Sequence, residues 1–271
     1  MKLLKDKKIL VISSEVVPYL PQTEKAVNSF SVSRKINDYG GMTRIFMPKY
    51  GIINERRHQL HEVIRLSGMN LIVNDIDQPL IIKVASIPQA RMQVYFIDNE
   101  EYFKRKFTTE DKKGTFYSDN DERALFFCRG VIESVKKLGW SPDVIHCNGW
   151  MASFLPMYLK KFYHDDPIFE KTKIVVSLYN QSFEGTLSDG LTDKLKFDGY
   201  SEEDLAGFEK VDYKKLAETA INYSDAVIKG STELDADLLK LIEDSKLPTL
   251  EYADGEYKEQ YKPFYETLFE E

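Results

Sequence analysis

A set of polar and aromatic residues lies where predicted strands end and where one long helix begins. They are Glu15, Tyr19, Asp119, Asn120, Arg123, His146, Asn148, Trp150, Asn180 and Glu184. Carboxylates, amides and an imidazole can pair with the hydroxyls of a sugar, while aromatic rings stack on its apolar face. The residue types together favour a carbohydrate ligand. Taken singly, Asp119 also suits a helix cap, Trp150 a core position and Asn180 a turn.

Other chemistries find less support in the motifs. The sequence contains no glycine pattern of a phosphate loop or dinucleotide fingerprint, and no Gly-x-Ser-x-Gly elbow. Cys147 follows His146, but neighbours in a strand point to opposite faces, so we expect a buried structural cysteine rather than a nucleophilic pair. His58 and His61 lack a further ligand nearby. We therefore predict no metal, no cofactor and no catalytic residue that sequence alone can assign.

The composition narrows the class of partner. The chain of 271 residues carries a formal net charge of −7, which disfavours nucleic acid as a ligand. No apolar run approaches the ~18–20 residues of a membrane span, and the run ILVI near the N-terminus is too short for a signal peptide. With only two cysteines, a reducing compartment is indicated. We therefore expect a cytoplasmic protein without a membrane or nucleic-acid partner.

Alternating strand and helix patterns predict the elements that position the polar residues. Apolar runs predict strands over 7–13, 43–48, 142–147, 173–180 and 225–231. Residues with 3–4 spacing predict helices over 26–39, 119–138, 151–164, 213–224 and 232–243. Short strand-like runs within 60–98 predict an inserted hairpin or meander. The alternation predicts an α/β fold with a doubly wound parallel sheet, which binds ligands at the carboxyl ends of its strands.

The C-terminal part predicts a loop over 245–255 and a helix over 256–271. Tyr257, Tyr261, Tyr265 and Leu268 share one face of that helix. This face either docks on its own domain or offers a surface to a partner. We expect one domain over 1–271, with its core in 7–243.

Seven segments, in order, resemble the N-terminal domain of bacterial glycogen and starch synthases. They are ILVISSEVVPY, YGGMTRIFMPKYG, VYFIDNEEYFKRK, FYSDNDERALFFCRGVIE, PDVIHCNGWMASFLPMYLK, VVSLYNQSFEG and YSDAVIKGSTELDADLL. These synthases are retaining glycosyltransferases with two Rossmann-like domains, the GT-B architecture. The resemblance covers about residues 7–243 and implies one such half. It also implies a role in substrate binding on the acceptor side for ten residues, which are Glu15, Tyr19, Tyr117, Asp119, Asn120, Arg123, His146, Asn148, Trp150 and Asn180.

The departures from the family concern the donor side. The family's Lys-x-Gly-Gly-Leu loop, which handles the donor sugar and its phosphates, is Pro-Gln-Thr-Glu-Lys at residues 21–25. It lacks the glycines that permit close backbone approach and adds a negative charge. Asn148, Gly149 and Met151 replace the family's second histidine, aspartate and third histidine, and Tyr179 stands where a further histidine is expected.

Three functions remain open from the sequence. The resemblance implies a relative of ADP-glucose:α-1,4-glucan glucosyltransferases. The chain after residue 245 is shorter than the family's donor-binding domain, so we expect impaired catalysis alone. The chain would then bind α-glucan or maltooligosaccharide, or act as a regulatory subunit with a protein partner or a second copy. Alternatively, it is an active glucosyltransferase with a donor domain from another chain, or a scaffold that binds no sugar.

Overall fold

The computed structural model describes residues 4–181, 183–252 and 257–270. Within them, ten strands form a mixed sheet. The strands are β1 (Lys8–Ser13), β2 (Met42–Pro48), β3 (His61–Glu62), β4 (Met69–Val73), β5 (Ile76–Ile87), β6 (Met92–Asp98), β7 (Val144–Asn148), β8 (Lys173–Leu178), β9 (Ala226–Lys229) and β10 (Thr249–Leu250). Their order is β10-β9-β8-β7-β1-β2-β6-β5-β3, and β4 pairs with β5. The strands from β10 to β6 are parallel, whereas β5 is antiparallel to β3, β4 and β6.

Helices connect the strands and pack beside the sheet. They are α1 (Glu24–Asp38), α2 (Glu55–His58), α3 (Glu100–Phe103), α4 (Asn120–Leu138), α5 (Phe154–Phe162), α6 (Leu191–Phe197), α7 (Tyr213–Asn222), α8 (Ala236–Ser245) and α9 (Tyr257–Thr267). Short 3₁₀ turns lie at Pro88–Ala90 and Trp150–Ala152. The predicted α/β fold with a parallel sheet and an antiparallel insertion is confirmed.

The central strands form because their sequences are apolar on both faces. β1 and β7 are almost wholly buried, and β1 lies between β2 and β7 in parallel register, with Ile12 opposite both Phe46 and Cys147. A strand covered by helices on both sides must be apolar throughout, which explains the uninterrupted run. The carboxyl ends of β1, β7, β8 and β9 therefore meet along one edge, and the polar residues of interest lie there.

Several predicted bounds differ from the structure. One of the strand-like runs of the insertion, HEVIRL at 61–66, forms a strand only at His61–Glu62, because the Ile82 N–H donates to the Ser67 hydroxyl at 3.0 Å instead of to a strand neighbour. The helix predicted from 151 begins at Phe154, with Pro156 in its first turn, where a missing N–H costs little.

Two further elements differ from the prediction. The predicted loop contains β10, whose Thr249–Leu250 pairs with β9, and α6 (Leu191–Phe197) was not predicted. The last helix lies within its predicted range, although Glu256 and Glu271, like residues 253–255 of the predicted loop, lie outside the described residues. Among the described residues, no helix combines the length and apolarity that crossing a membrane requires.

Candidate functional site

The loop after β1 closes on itself through a buried lysine. The Thr23 hydroxyl accepts from the Ala26 N–H at 3.1 Å, which caps α1, and donates to Glu15 Oε2 at 2.6 Å. Lys25 Nζ lies 3.1 Å from Glu15 Oε1, and the Lys25 side chain is only 3% exposed. Gly149 has φ +76°, and a Cβ there would lie 2.8 Å from Lys25 Cδ. Lys25 is therefore packed under the β7 loop and presents no free charge at the strand edge.

The first turn of α1 begins with an exposed acidic residue, Glu24. Glu24 Oε2 accepts from the Ser231 hydroxyl at 2.6 Å, and the same hydroxyl accepts from the Asn180 N–H at 3.0 Å. A helix N-terminus favours negative charge through its unpaired N–H groups and dipole. Here Glu24 supplies that charge and links α1 to the loops after β8 and β9.

Tyr19 and the two cysteines belong to the interior. The Tyr19 ring packs edge-on against His58 and Phe96, each with a centroid separation of 4.9 Å, and burial raises the pKa of Tyr19 to about 12. Cys128 and Cys147 are buried, and burial raises the pKa of both thiols. Neither cysteine presents a thiolate at neutral pH.

His146 and Asn148 share one face of β7 and bond to protein groups. His146 Nε2 lies 2.6 Å from Ser177 Oγ, and Nδ1 lies 2.7 Å from the hydroxyl of Tyr265 on α9. Burial lowers the pKa of His146 to about 3, so the ring is neutral at physiological pH. The Asn148 side chain accepts from the Tyr179 hydroxyl at 2.9 Å and donates to the His146 carbonyl at 3.3 Å. Both side chains are buried.

Arg123 is fully buried and anchors the start of α4. Its guanidinium donates to the Tyr102 carbonyl at 2.8 Å, the Thr108 carbonyl at 2.6 Å and Asn120 Oδ1 at 2.6 Å. The Asn120 amide donates to the Thr109 carbonyl at 2.8 Å. Arg123 and Asn120 therefore hold the 102–109 segment against α4, because they bond to each other and to three backbone carbonyls of that segment.

Asp119 lies at the N-cap position of α4, but its side chain makes no capping bond. Both carboxylate oxygens instead accept from Arg105, at 2.6 and 2.5 Å. The Arg105 guanidinium lies 4.6 Å from the centroid of the half-buried Tyr117 ring. The interpretation of Asp119 as a side-chain cap is wrong, because a bidentate arginine competes for its oxygens. Arg105 carried no sequence signal that separated it from the neighbouring lysines.

A cavity of about 330 Å³ opens between the segment at the start of α4 and the loop after β8. Phe116, Tyr117, Ser118, Glu184, Gly185 and Asp189 are among the residues that line it. Behind it, Phe116 stacks on Phe183 with a centroid separation of 4.8 Å, and Trp150 packs against both rings. Trp150 is only 7% exposed, so it supports this aromatic wall from within.

A neighbouring cavity of about 290 Å³ adjoins the first, since Gly185 lines both. It contains the exposed Asn180, with Asp212 and Asp235 at the starts of α7 and α8. The predicted site residues thus fall into two groups. The residues that retain contact with open space are Glu15, Tyr117, Asp119, Asn180 and Glu184, whereas the buried ones are Tyr19, Asn120, Arg123, His146, Asn148 and Trp150. Among the described residues, no cluster of three metal-ligating side chains occurs.

A parallel sheet with polar residues at the carboxyl ends of its strands defines the class of Rossmann-like α/β domains. Comparison with known proteins identifies the family within this class. The model of the starch synthase catalytic domain matches residues 8–246, so the chain belongs to the starch synthase catalytic domain family. The family predicted from sequence is thereby confirmed, as a glycogen/starch synthase-like glycosyltransferase domain of GT-B architecture.

Relatives and a solved structure agree with this assignment. Glycogen synthase of Chlorobium luteolum is 38% identical over 189 residues, covering 69% of this chain and 39% of that protein. Glycogen synthase of Chlorobaculum parvum is 35% identical over 229 residues, covering 83% and 46%. The catalytic domain of starch synthase IV from Arabidopsis thaliana, bound to ADP and acarbose, superposes with a TM-score of 0.75 at 16% identity, covering 93% of this chain and 52% of that one. The chain spans less than half the length of these curated relatives.

Proposed function

We propose that this domain serves α-glucan synthesis as a glucan-binding lobe, and that it transfers no glucose by itself. The proposal rests on the difference between two places at the carboxyl ends of the strands. The cavity beside Tyr117 is open, whereas the first turn of α1 carries the exposed carboxylate of Glu24, which accepts from Ser231. An acceptor glucan therefore has an open place beside Tyr117, whereas an anionic donor would meet a negative charge at α1.

On the acceptor side, a glucan would lie across the cavity next to Tyr117. The exposed carboxylate of Glu184 would accept hydrogen bonds from sugar hydroxyls, and the half-buried Tyr117 ring would stack on the apolar sugar face. Arg123 would act as a positioning residue, since it fixes the 102–109 segment, and Asn120 fixes the same segment while also lining the cavity.

On the donor side, Glu24 opposes the diphosphate of a nucleotide sugar. Two like unit charges ~4 Å apart repel by roughly 1 kcal/mol even in bulk water, and by more near a protein surface. Lys25, the nearest cation in the sequence, is already paired with Glu15. The His146 ring is neutral and bonded at both nitrogens, so it offers no positive charge to a reacting sugar.

Tyr117→Ala should weaken binding of maltoheptaose about fivefold in isothermal titration calorimetry. The change removes the ring that faces the cavity, whereas Tyr117→Phe keeps the ring and should bind within about twofold of wild type, given that a stacked ring contributes ~1 kcal/mol. Phe197→Ala, which removes an exposed ring outside the cavity, is the matched control and should bind normally.

Two outcomes would contradict this function. A folded wild-type chain that binds no maltoheptaose would indicate a scaffold. Incorporation of glucose from ADP-glucose by the purified chain would show that it is an active glucosyltransferase without a donor domain from another chain.

A second candidate function is that of a subunit that receives a donor-binding lobe from another polypeptide. An apolar cavity of about 240 Å³, lined by Leu20, Pro21, Ile52 and Phe107 among others, lies beside the β1 loop. Ile52 is 54% exposed and Phe107 45% exposed, although both are large and apolar. Exposed apolar clusters of this kind mark protein contact surfaces.

The double change Ile52→Asp and Phe107→Asp should weaken association with a full-length synthase of this family at least tenfold. It places two charges in an interface that would exclude water. Size-exclusion chromatography with light scattering measures the complex and any homo-oligomer, and maltoheptaose binding should stay unchanged. Ile64→Asp, at an 83% exposed position outside that cavity, is the control. An equally stable complex formed by the double variant would exclude this surface.

A further inference from the structure

A third place in the fold has the chemistry of a ligand site and lies at the opposite edge of the sheet. It is a cavity of about 360 Å³, within the ~300–1,000 Å³ typical of small-molecule pockets. Arg44 from the start of β2, Gln93 from the start of β6 and Trp140, just before β7, line it. These are the amino ends of parallel strands, so this cavity is separate from the proposed glucan surface.

Arg44 lies at this cavity without a partner for its charge. Its guanidinium stacks 4.7 Å from the centroid of Trp140 and lies 5.7 Å from that of Tyr95. Within the described part of the chain it forms neither a salt bridge nor a hydrogen bond, and its Nη1 atom is buried. Burial lowers the pKa of Arg44, and repulsion from Arg65 acts in the same direction. The buried Nη1 donor of this half-buried arginine needs an acceptor, and none of the described residues supplies one.

Further positive charge surrounds the same opening. Arg91 also lines the cavity, in the turn between β5 and β6, where its φ is +51°. The Asn37 amide donates to the Ala90 carbonyl at 3.3 Å and so holds this turn against α1. Among the residues that the structure describes, neither Arg91 nor Arg65 takes part in an ion pair, and no acidic residue is among those that line the cavity. This local excess of arginine stands in a chain with 44 acidic and 37 basic residues.

We propose that this arginine cavity, lined by Arg44 and Arg91 over Trp140, binds a phosphate dianion, either free or carried on a small metabolite. A guanidinium offers paired N–H donors that match two oxygens of one phosphate. Two guanidinium groups at one opening favour a doubly charged phosphate over a singly charged carboxylate as the ligand. The Trp140 ring fixes the Arg44 guanidinium, so little side-chain freedom is lost when the anion binds.

Isothermal titration calorimetry of the whole chain at low salt tests the site with inorganic phosphate, a hexose monophosphate and the neutral hexose. We expect the hexose monophosphate to bind at least tenfold more tightly than the hexose, and affinity to fall as salt is raised. Inorganic phosphate binding as tightly as the monophosphate would identify free phosphate as the ligand. A tighter monophosphate would identify a phosphorylated metabolite.

Variants separate the cavity from general charge effects. Arg91→Asn removes the charge and tolerates the positive φ, and it should weaken phosphate binding at least fivefold while leaving maltoheptaose binding unchanged. Arg44→Gln should weaken it at least tenfold. Arg34→Gln removes an exposed arginine elsewhere and should bind phosphate as wild type does. Unchanged affinity in both Arg91→Asn and Arg44→Gln, or no affinity of the wild type for either phosphate ligand, would overturn the proposal.

Discussion

Arg123→Ala should lower the free energy of unfolding by about 4 kcal/mol. The change removes a fully buried side chain and leaves the Tyr102 and Thr108 carbonyls and Asn120 Oδ1 without their donor. Each buried acceptor left unsatisfied costs ~1–3 kcal/mol, and the vacated volume adds a cavity term, while relief of the buried charge offsets part of the loss. Urea denaturation followed by circular dichroism measures the difference.

Two further variants make the result specific. Arg123→Lys keeps a positive charge but not the planar fork that reaches three acceptors, so it should cost about 2 kcal/mol. Arg34→Ala, at an exposed helical position, should change stability by no more than ~0.5 kcal/mol. A loss below ~1 kcal/mol for Arg123→Ala would mean that water or relaxed backbone replaces the guanidinium, and Arg123 would lose its positioning role.

The fold followed from the sequence where strands were continuous apolar runs. β1, β7 and β8 are buried on both faces, so their sequences are unbroken and their boundaries were predicted within about two residues. β10 was missed because two residues carry no periodicity, and its pairing with β9 comes from tertiary contact alone. α6 was missed for a similar reason, since its seven residues bury only Leu191 and Leu195.

The sequence predicted the site only through the rule that ligands bind at the carboxyl ends of parallel strands. That rule brought Glu15, Asn148 and Asn180 to one edge. It could not give the direction of a side chain. Lys25 turns inward because Gly149 leaves room for its aliphatic stem, and this contact joins residues far apart in the chain. The contact of His146 with Tyr265 spans 119 positions and likewise has no local signature.

His146 should make the domain sensitive to acid in a definite pH window. Its pKa is about 3 in the folded chain and ~6.5 when unfolded, so the unfolded state binds more protons between these values. Stability therefore rises with pH across that window and falls on acidification. The loss from this one group is ~1.4 kcal/mol per pH unit below pH 6.5, or about 2 kcal/mol between pH 7 and pH 5. Chemical denaturation at a series of pH values measures the slope.

His146→Gln should flatten that slope, because glutamine does not titrate but can still bond to Ser177 or Tyr265. His61→Gln replaces an exposed histidine and should leave the slope of the wild type unchanged. Tyr265→Phe removes the bond from α9 and should cost about 1 kcal/mol at pH 7, yet keep the slope, because the ring stays buried. Parallel pH profiles for wild type and His146→Gln would show that the imidazole takes up a proton in the folded chain as readily as in the unfolded chain. In that case the argument that α9 seals a neutral histidine against β7 fails, and with it the claim that no cation faces the sugar at this position.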